Sequence, residues 1–329
     1  MNPKSVSIFA CGGCGINIGR TFEAKFNEVK ALEFSALPPS VYYIDTSDSN
    51  LRRHGIDQDR VFLFEGKDGG GKYRPENHSV IVKTMPNLLQ KFEPSAFNII
   101  VCSTGGGSGA VIGHVLLNEL RRQNAAALVI LIGSTASLAE IENGVKALRS
   151  LDKIAHDDNK PVVCSYLENS PEGGRSAVDA HALEELLALV GLFAGQHDEL
   201  DSTDLKHWLT FRELGAELVA LEMVRGQQAY ANIKDVISVA TLAVAGDNTH
   251  MTPTPAYQAV GYVPDSWVQS KFVTAGAPMS FCLSSDLVER ASKELIEAEL
   301  VVNKVVSTRV RRDSLVRRHD EATDDGQFL

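Results

Sequence analysis

Ser103-Thr104-Gly105-Gly106-Gly107-Ser108-Gly109-Ala110 is the stretch on which the fold of this chain turns. Ahead of it stands Ile99-Ile100-Val101-Cys102, too short for a helix and β-branched enough for a buried parallel strand. Behind it, apolar residues from Val111 to Leu120 recur at helical spacing and end in Arg121-Arg122. The stretch is therefore a strand-to-helix turn with four glycines and three hydroxyls in seven residues. Glycine lets backbone N–H groups approach a ligand with no Cβ between them, and a helix N-terminus adds partial positive charge. Such a turn suits phosphate.

Upstream, a strand at residues 6–10 runs into Cys11-Gly12-Gly13-Cys14-Gly15-Ile16-Asn17-Ile18-Gly19, with a helix predicted from about Ile16. Alone, Gly13-x-Gly15-x-x-x-Gly19 resembles a relaxed dinucleotide fingerprint. Further strands are predicted at residues 41–44, 61–64, 128–132 and 161–166. Strands alternating with helices make a doubly wound parallel sheet, with ligands bound at the strands' carboxyl ends. The second strand ends in Asp45-Thr46-Ser47-Asp48. A carboxylate there meets a ribose hydroxyl, meets phosphate-bound Mg²⁺ through water, or caps the next helix. Lys67 and Lys72 flank Gly69-Gly70-Gly71, a loop that either closes over a terminal phosphate or is a solvated hairpin.

The second half is plainer. A long helix is predicted over residues 176–196, with Leu183, Leu186, Leu187, Val190 and Phe193 on one apolar stripe joining two domains. Asp201 and Asp204 follow at the entrance of another helix, where Asp201 is placed to cap it. Strands at 236–245, 279–283 and near 269–274, with a helix at 286–302, suggest a smaller mixed α/β domain. The expected division is 1–175, 176–200, 201–302 and a tail at 303–329. In that tail a basic block from Arg309 to Arg318 precedes Asp320, Glu321, Asp324 and Asp325, and the chain closes on Phe328-Leu329. Such a segment is either solvated or docks on another subunit.

A formal charge of −10 and a pI near 5.4 argue against a duplex-DNA binder. No apolar run approaches the ~20 residues that span a bilayer. The start carries no signal-peptide pattern, and five cysteines, an odd number, read as reduced thiols in a cytoplasmic compartment. Cys11-x-x-Cys14 has redox or zinc spacing, but no second pair and no nearby histidine completes a metal site.

The P-loop pattern GxxxxGK[ST] is absent. Instead, Gly105-Gly106-Gly107-Ser108-Gly109, with Gly12-Gly13-Cys14-Gly15-Ile16-Asn17 and Asp45-Thr46-x-Asp48, resembles the tubulin and FtsZ superfamily in the right order over most of the chain. Within it the chain looks most similar to the PhuZ-type tubulins of large nucleus-forming bacteriophages. That likeness rests on the Asp-Thr-x-Asp turn, the Leu200-Asp201-x-x-Asp204 loop, Trp208 and the acidic tail with its apolar end. The resemblance implies a GTPase that binds GTP or GDP, with Mg²⁺ held through phosphates and water, and that polymerises head to tail in the host cytoplasm. It implies phosphate contacts from Gly12, Gly13, Cys14, Gly15, Gly70, Gly71 and Ser103 through Gly109, including Thr104, with Asp45 and Asp48 nearby. Asn17, Glu140, Asn143 and Asn169 would surround sugar and base. Asp201 and Asp204 would act as catalytic carboxylates on the neighbouring subunit's nucleotide, and the tail would dock on a neighbour. The family reads guanine with an Asn or Asp early in the central helix, one turn after a stacking aromatic. Counting back puts His181 at the reader position and Ala177 at the aromatic one, with Asp179 the reader if the register shifts. The competing readings are a Rossmann-type NAD(P) oxidoreductase, which has no use for the second glycine turn, and a non-hydrolysing nucleotide-binding filament protein.

Overall fold

The computed structural model describes residues 5–29, 38–52, 56–65, 75–169, 174–194 and 197–307. In chain order the first half holds β1 (Val6–Cys11), α1 (Gly12–Val29), β2 (Ser40–Asp45), α2 (Asp48–Leu51), β3 (Val61–Leu63), α3 (Pro75–Lys91), β4 (Phe97–Ser103), α4 (Gly109–Arg122), β5 (Ala126–Ser134), α5 (Leu138–Asp158) and β6 (Val162–Asn169). The second half holds α6 (Gly174–Ala194), α7 (Ser202–Leu209), β7 (Leu218–Arg225), α8 (Gly226–Tyr230), β8 (Val236–Val244), β9 (Tyr257–Val263), α9 (Asp265–Gln269), β10 (Met279–Ser284) and α10 (Leu287–Ser307).

All ten strands join one sheet in the order β3-β2-β1-β4-β5-β6-β7-β10-β8-β9. From β3 to β7 every neighbour is parallel, as the alternation of strands and helices predicts. β10 runs antiparallel to both β7 and β8. Strand order reverses between β1 and β4, so the turns leaving those two strands sit side by side at the switch point.

The parallel strands are apolar on both faces, as a sheet covered on both sides requires. Along β5, Leu128, Ile130 and Ile132 face the layer containing Ile16, Phe22, Leu186 and Trp208. Val129 and Leu131 face the opposite layer, with Ile112, Ile141 and Leu295. The first layer holds α1, α6 and α7; the second holds α3, α4, α5 and α10.

Four expectations need correction. The first helix begins at Gly12, not near Ile16, because Gly12 takes the turn itself at φ +71° and the following glycines already wind as helix. α6 shows no single narrow stripe: Ala182, Leu186, Ala188, Leu189, Val190, Leu192 and Phe193 are buried over a broad face of its second half, while its first turns are exposed. No strand forms near 269–274, where Lys271 adopts φ +62° and breaks the extended backbone. α10 continues to Ser307, five residues past the expected end, and β7 and β9, which the sequence pattern does not announce, extend the sheet.

The two glycine turns are in backbone contact. A Cβ on Gly12 would stand 2.7 Å from Gly109 Cα, and one on Gly109 would stand 2.7 Å from the Cys11 carbonyl oxygen. Both obstacles are main chain and cannot swing aside. At Gly106 a Cβ would meet only the Ser103 hydroxyl, at 3.2 Å. Gly109→Ala is therefore expected to cost roughly 1–3 kcal/mol of stability, as overpacking does. Gly106→Val should unfold near the parent's midpoint; urea unfolding of both variants checks the contrast.

Candidate active site

At the carboxyl edge of the sheet, a cleft of about 280 Å³ opens over the switch point. Gly13, Cys14 and Asn17 enter it from the start of α1, and Ser103, Gly105 and Gly106 from the turn after β4. Glu140 comes from α5, Asn169 from the end of β6, and Arg175 and Asp179 from the first turns of α6. Ile132 and Ser134 close it from the end of β5, so residues from 13 to 179 meet at one point.

The turn after β4 is held from behind. Thr104 N–H donates to the Ile132 carbonyl at 2.9 Å. The buried Asn143 amide donates to the Gly105 carbonyl at 3.1 Å, and Ser134 Oγ donates to Glu140 at 2.6 Å. Ser108 is N-cap of α4, but its hydroxyl makes no capping bond and instead pairs with Thr46 Oγ1 at 2.6 Å. The first-turn N–H groups of α4 keep no side-chain cap and stand beside the N-terminus of α1. Two helix N-termini meeting in this way favour an anion.

The cradle fits a phosphate. Gly106 lines the cleft where a side chain would otherwise project, and Asn169 Oδ1 is shut off from solvent with no hydrogen-bond partner. A buried acceptor without a donor is costly unless a ligand supplies one.

Several residues named from the sequence support this cleft without lining it. Gly12, Gly15, Gly107 and Gly109 shape the turns, and Thr104 is wholly buried with Oγ1 unpartnered. Asp45, buried at the end of β2, accepts from Thr46 N–H at 2.7 Å and from Asn50 Nδ2 at 2.7 Å. It caps no helix, since Ser47 holds the N-cap position of α2, and the two bonds fix its carboxylate. Asp48, in the first turn of α2, is ion-paired with Arg52. Gly70 and Gly71 lie outside the described residues, as do Lys67, Lys72 and the tail from 308.

Of the two residues that counting back along the helix offers, His181 and Asp179, one lines the cleft. His181 is exposed and lines another cleft, on the opposite side of α6. Asp179, two residues earlier, faces the glycine turns, with Arg175 one turn before it. Two residues on a helix turn the side chain by about 200°, which is the whole difference. Burial raises the Asp179 carboxyl above its ordinary range and the Arg175 charge opposes the rise. The Cys14 thiol is pushed up to about 12 by burial and then by Asp179, with Arg175 opposing, so it stays protonated at neutral pH. Arg175 and Ser134 escaped the sequence reading; the Arg175/Asp179 spacing of four, at a helix start, was the available signal.

Asp201 and Asp204 stand elsewhere. Asp201 caps α7, accepting from Thr203 N–H at 2.6 Å and Asp204 N–H at 3.0 Å, while Asp204 accepts back from Asp201 N–H at 3.1 Å. Those bonds from Asp204 and Thr203 hold the exposed Asp201 carboxyl below its ordinary range. Trp208, wholly buried against Phe193 and Phe281, anchors α7. Asp179 lines the cleft from within α6, and from there to Ala194 the helix runs ~22 Å at ~1.5 Å per residue before the chain reaches α7.

Residues 5–158 match the Tubulin/FtsZ family GTPase domain. A phage tubulin-like protein of Pseudomonas phage PhiPA3 is 26% identical, the alignment covering 99% of each chain. A protofilament of TubZ from bacteriophage PhiKZ superposes with a TM-score of 0.83 at 28% identity, covering 94% of each chain. The phage tubulin PhuZ solved with GDP gives a TM-score of 0.82 at 23% identity, over 98% of this chain and 99% of that one. With two glycine turns meeting at the sheet's switch point, residues 5–158 are similar to the Tubulin/FtsZ family GTPase domain, and the chain is similar from end to end to phage tubulin-like proteins.

Proposed function

We propose that this GTPase assembles head to tail into cytoskeletal filaments in the cytoplasm of an infected bacterium, where they position phage DNA or the phage nucleus. The observation that carries the reading is the distance between the two halves of its chemistry. The cleft takes no residue from α7: from Asp179, which lines it, to the end of α6 at Ala194 the helix runs ~22 Å, and Asp201 and Asp204 lie beyond that end. Stacked subunits bring one copy's α7 entrance to the next copy's nucleotide. The similar TubZ of bacteriophage PhiKZ, solved as a protofilament, supports such stacking. Among the described residues no helix is long and apolar enough to cross a membrane.

Within the cleft, the glycine turns and the N-termini of α1 and α4 hold the phosphates, and Asn17, Glu140 and Asn169 orient sugar and base. Asp45 and Asp48 would hold Mg²⁺ through water, and the ion would supply charge neutralisation at the phosphates. Asp179 accepts from the N1 and N2 donors of guanine, and the Arg175 guanidinium packs on the base where other family members use an aromatic ring. Asp204, braced by its reciprocal bonds with Asp201, orients a water of the neighbour's site and accepts its proton. Phosphoryl transfer needs this positioning and charge stabilisation more than covalent help. The division of labour follows the domain organisation read from the sequence: residues 1–175 bind, α6 spaces, and 201–302 activate.

Asp179→Ala is expected to lower GTP affinity ~10- to 100-fold, the loss of charge-assisted hydrogen bonds, and to lower ITP affinity less, since ITP keeps the N1 donor but lacks the N2 donors. Competition binding with the two nucleotides measures it.

Asp204→Ala should bind GTP as the parent does, release phosphate ~10²-fold more slowly and form persistent filaments. Mixing it with Gly106→Val subunits, which keep Asp204 but hold no nucleotide, should restore turnover at mixed junctions. Phosphate release within a few fold of the parent by Asp204→Ala alone would return the carboxylates to helix capping.

The tail docks on a neighbouring subunit. Four carboxylates in six residues from Asp320 to Asp325, closed by Phe328-Leu329, suit charge attraction plus an apolar anchor. Exposed charge pairs contribute only ~0–1 kcal/mol each and weaken with salt. Deleting residues 320–329 should raise the critical concentration and flatten its salt dependence, with monomer melting and GTP affinity unchanged. Pelleting assays across a salt series report both.

A further inference from the structure

The sheet forks between β6 and β7. β6 and β7 pair only over residues 162–164 against 218–220, and then part. Beyond that point β6 bonds towards β5 and β7 towards β10, and a cleft of about 380 Å³ opens between them. α6 floors it with Glu185 and rims it with His181, on the face away from Arg175 and Asp179. Ser165 and Glu168 line it from β6, and Glu222 from β7.

Glu185 is only 2% exposed. One carboxylate oxygen accepts from Ser165 Oγ at 2.7 Å. The other, Oε1, is equally removed from solvent and has no hydrogen-bond partner. A buried carboxylate with a bare oxygen is unfavourable unless a donor arrives. Burial raises its carboxyl to about 7, the Ser165 hydroxyl opposes the rise and the charge of Glu222 adds to it. Among the described residues no group of three His, Cys, Asp or Glu is arranged to hold a metal ion. The cleft is also far larger than a bare ion needs.

We propose that the β6–β7 fork binds an alkylammonium or guanidinium group, which donates to Glu185 Oε1 and lies between the carboxylates of Glu168 and Glu222. The group then bridges the two strands across the gap in the sheet. The fork does not share lining residues with the nucleotide cleft, so the proposal stands independently of the function proposed above. Two sources carry this chemistry: a free polyamine, or a lysine or arginine side chain of a second copy of this chain.

The test titrates full-length, GDP-loaded protein with putrescine by calorimetry, against sodium chloride at equal ionic strength. Saturable binding is expected, weakened ~10-fold or more in Glu185→Gln, which loses the charge-assisted bond but keeps the Ser165 contact. Glu185→Gln should melt at or above the parent, which verifies that it folds, and Glu222→Gln should weaken putrescine binding in the same direction. If putrescine does not bind while Glu185→Gln raises the critical concentration for assembly at unchanged monomer melting, the cation comes from a second copy. Equal binding by parent and both variants, or no binding together with unaltered assembly, overturns the proposal.

Discussion

The contact between Gly12 and Gly109 is the constraint on which the rest depends. Because neither turn carries a side chain there, the N-termini of α1 and α4 come within main-chain contact at the point where strand order reverses. Two helix dipoles then converge on one small volume, and every other wall of the cleft is arranged around it. α5 lends Glu140 and braces Gly105 through Asn143; β6 ends at Asn169; α6 opens with Arg175 and Asp179. The polar atoms spent on holding the loops, such as Ser108 on Thr46, are those that would otherwise have capped the helix and competed with a ligand.

α6 is the second determinant. A helix whose second half is packed into the first layer cannot shift without disturbing that packing, so it sets a fixed separation between what its two ends carry. Arg175 and Asp179 stand at one end; the α7 entrance, with Asp201 and Asp204 locked in a capping box, stands beyond the other. The capping role and the catalytic role proposed for those carboxylates are compatible. The cap bonds fix the geometry of both side chains, and Asp201 remains exposed to whatever is set against it. Trp208 fastens α7 to the core, which gives an exposed pair of carboxylates a rigid base.

The acidic groups divide along the same helix. Asp179 on one face and Glu185 on the other both have carboxyls raised by burial, but Asp179 has Arg175 to oppose the rise and Glu185 has only a hydroxyl and a second carboxylate. One helix therefore presents an electrostatically answered carboxylate to the nucleotide cleft and an unanswered one to the fork.

By itself the sequence determined the parallel α/β layout and the two glycine turns, because period, β-branching and glycine clustering are local and survive in one dimension. It also marked Asp201 as a helix cap, since a capping box spans four residues. Only the tertiary structure decided the rest. The side of α6 that faces the cleft depends on rotation about a helix apolar on all sides, whose pattern carries no phase; hence Asp179 and not His181 lines it. Strands β7 and β9 read weakly because β7 ends in mixed polar residues and owes its place to pairing with β10, which lies far along the chain. The parting of β6 from β7, which sets Glu185 beneath the gap, is a property of pairing register, and no single segment encodes register.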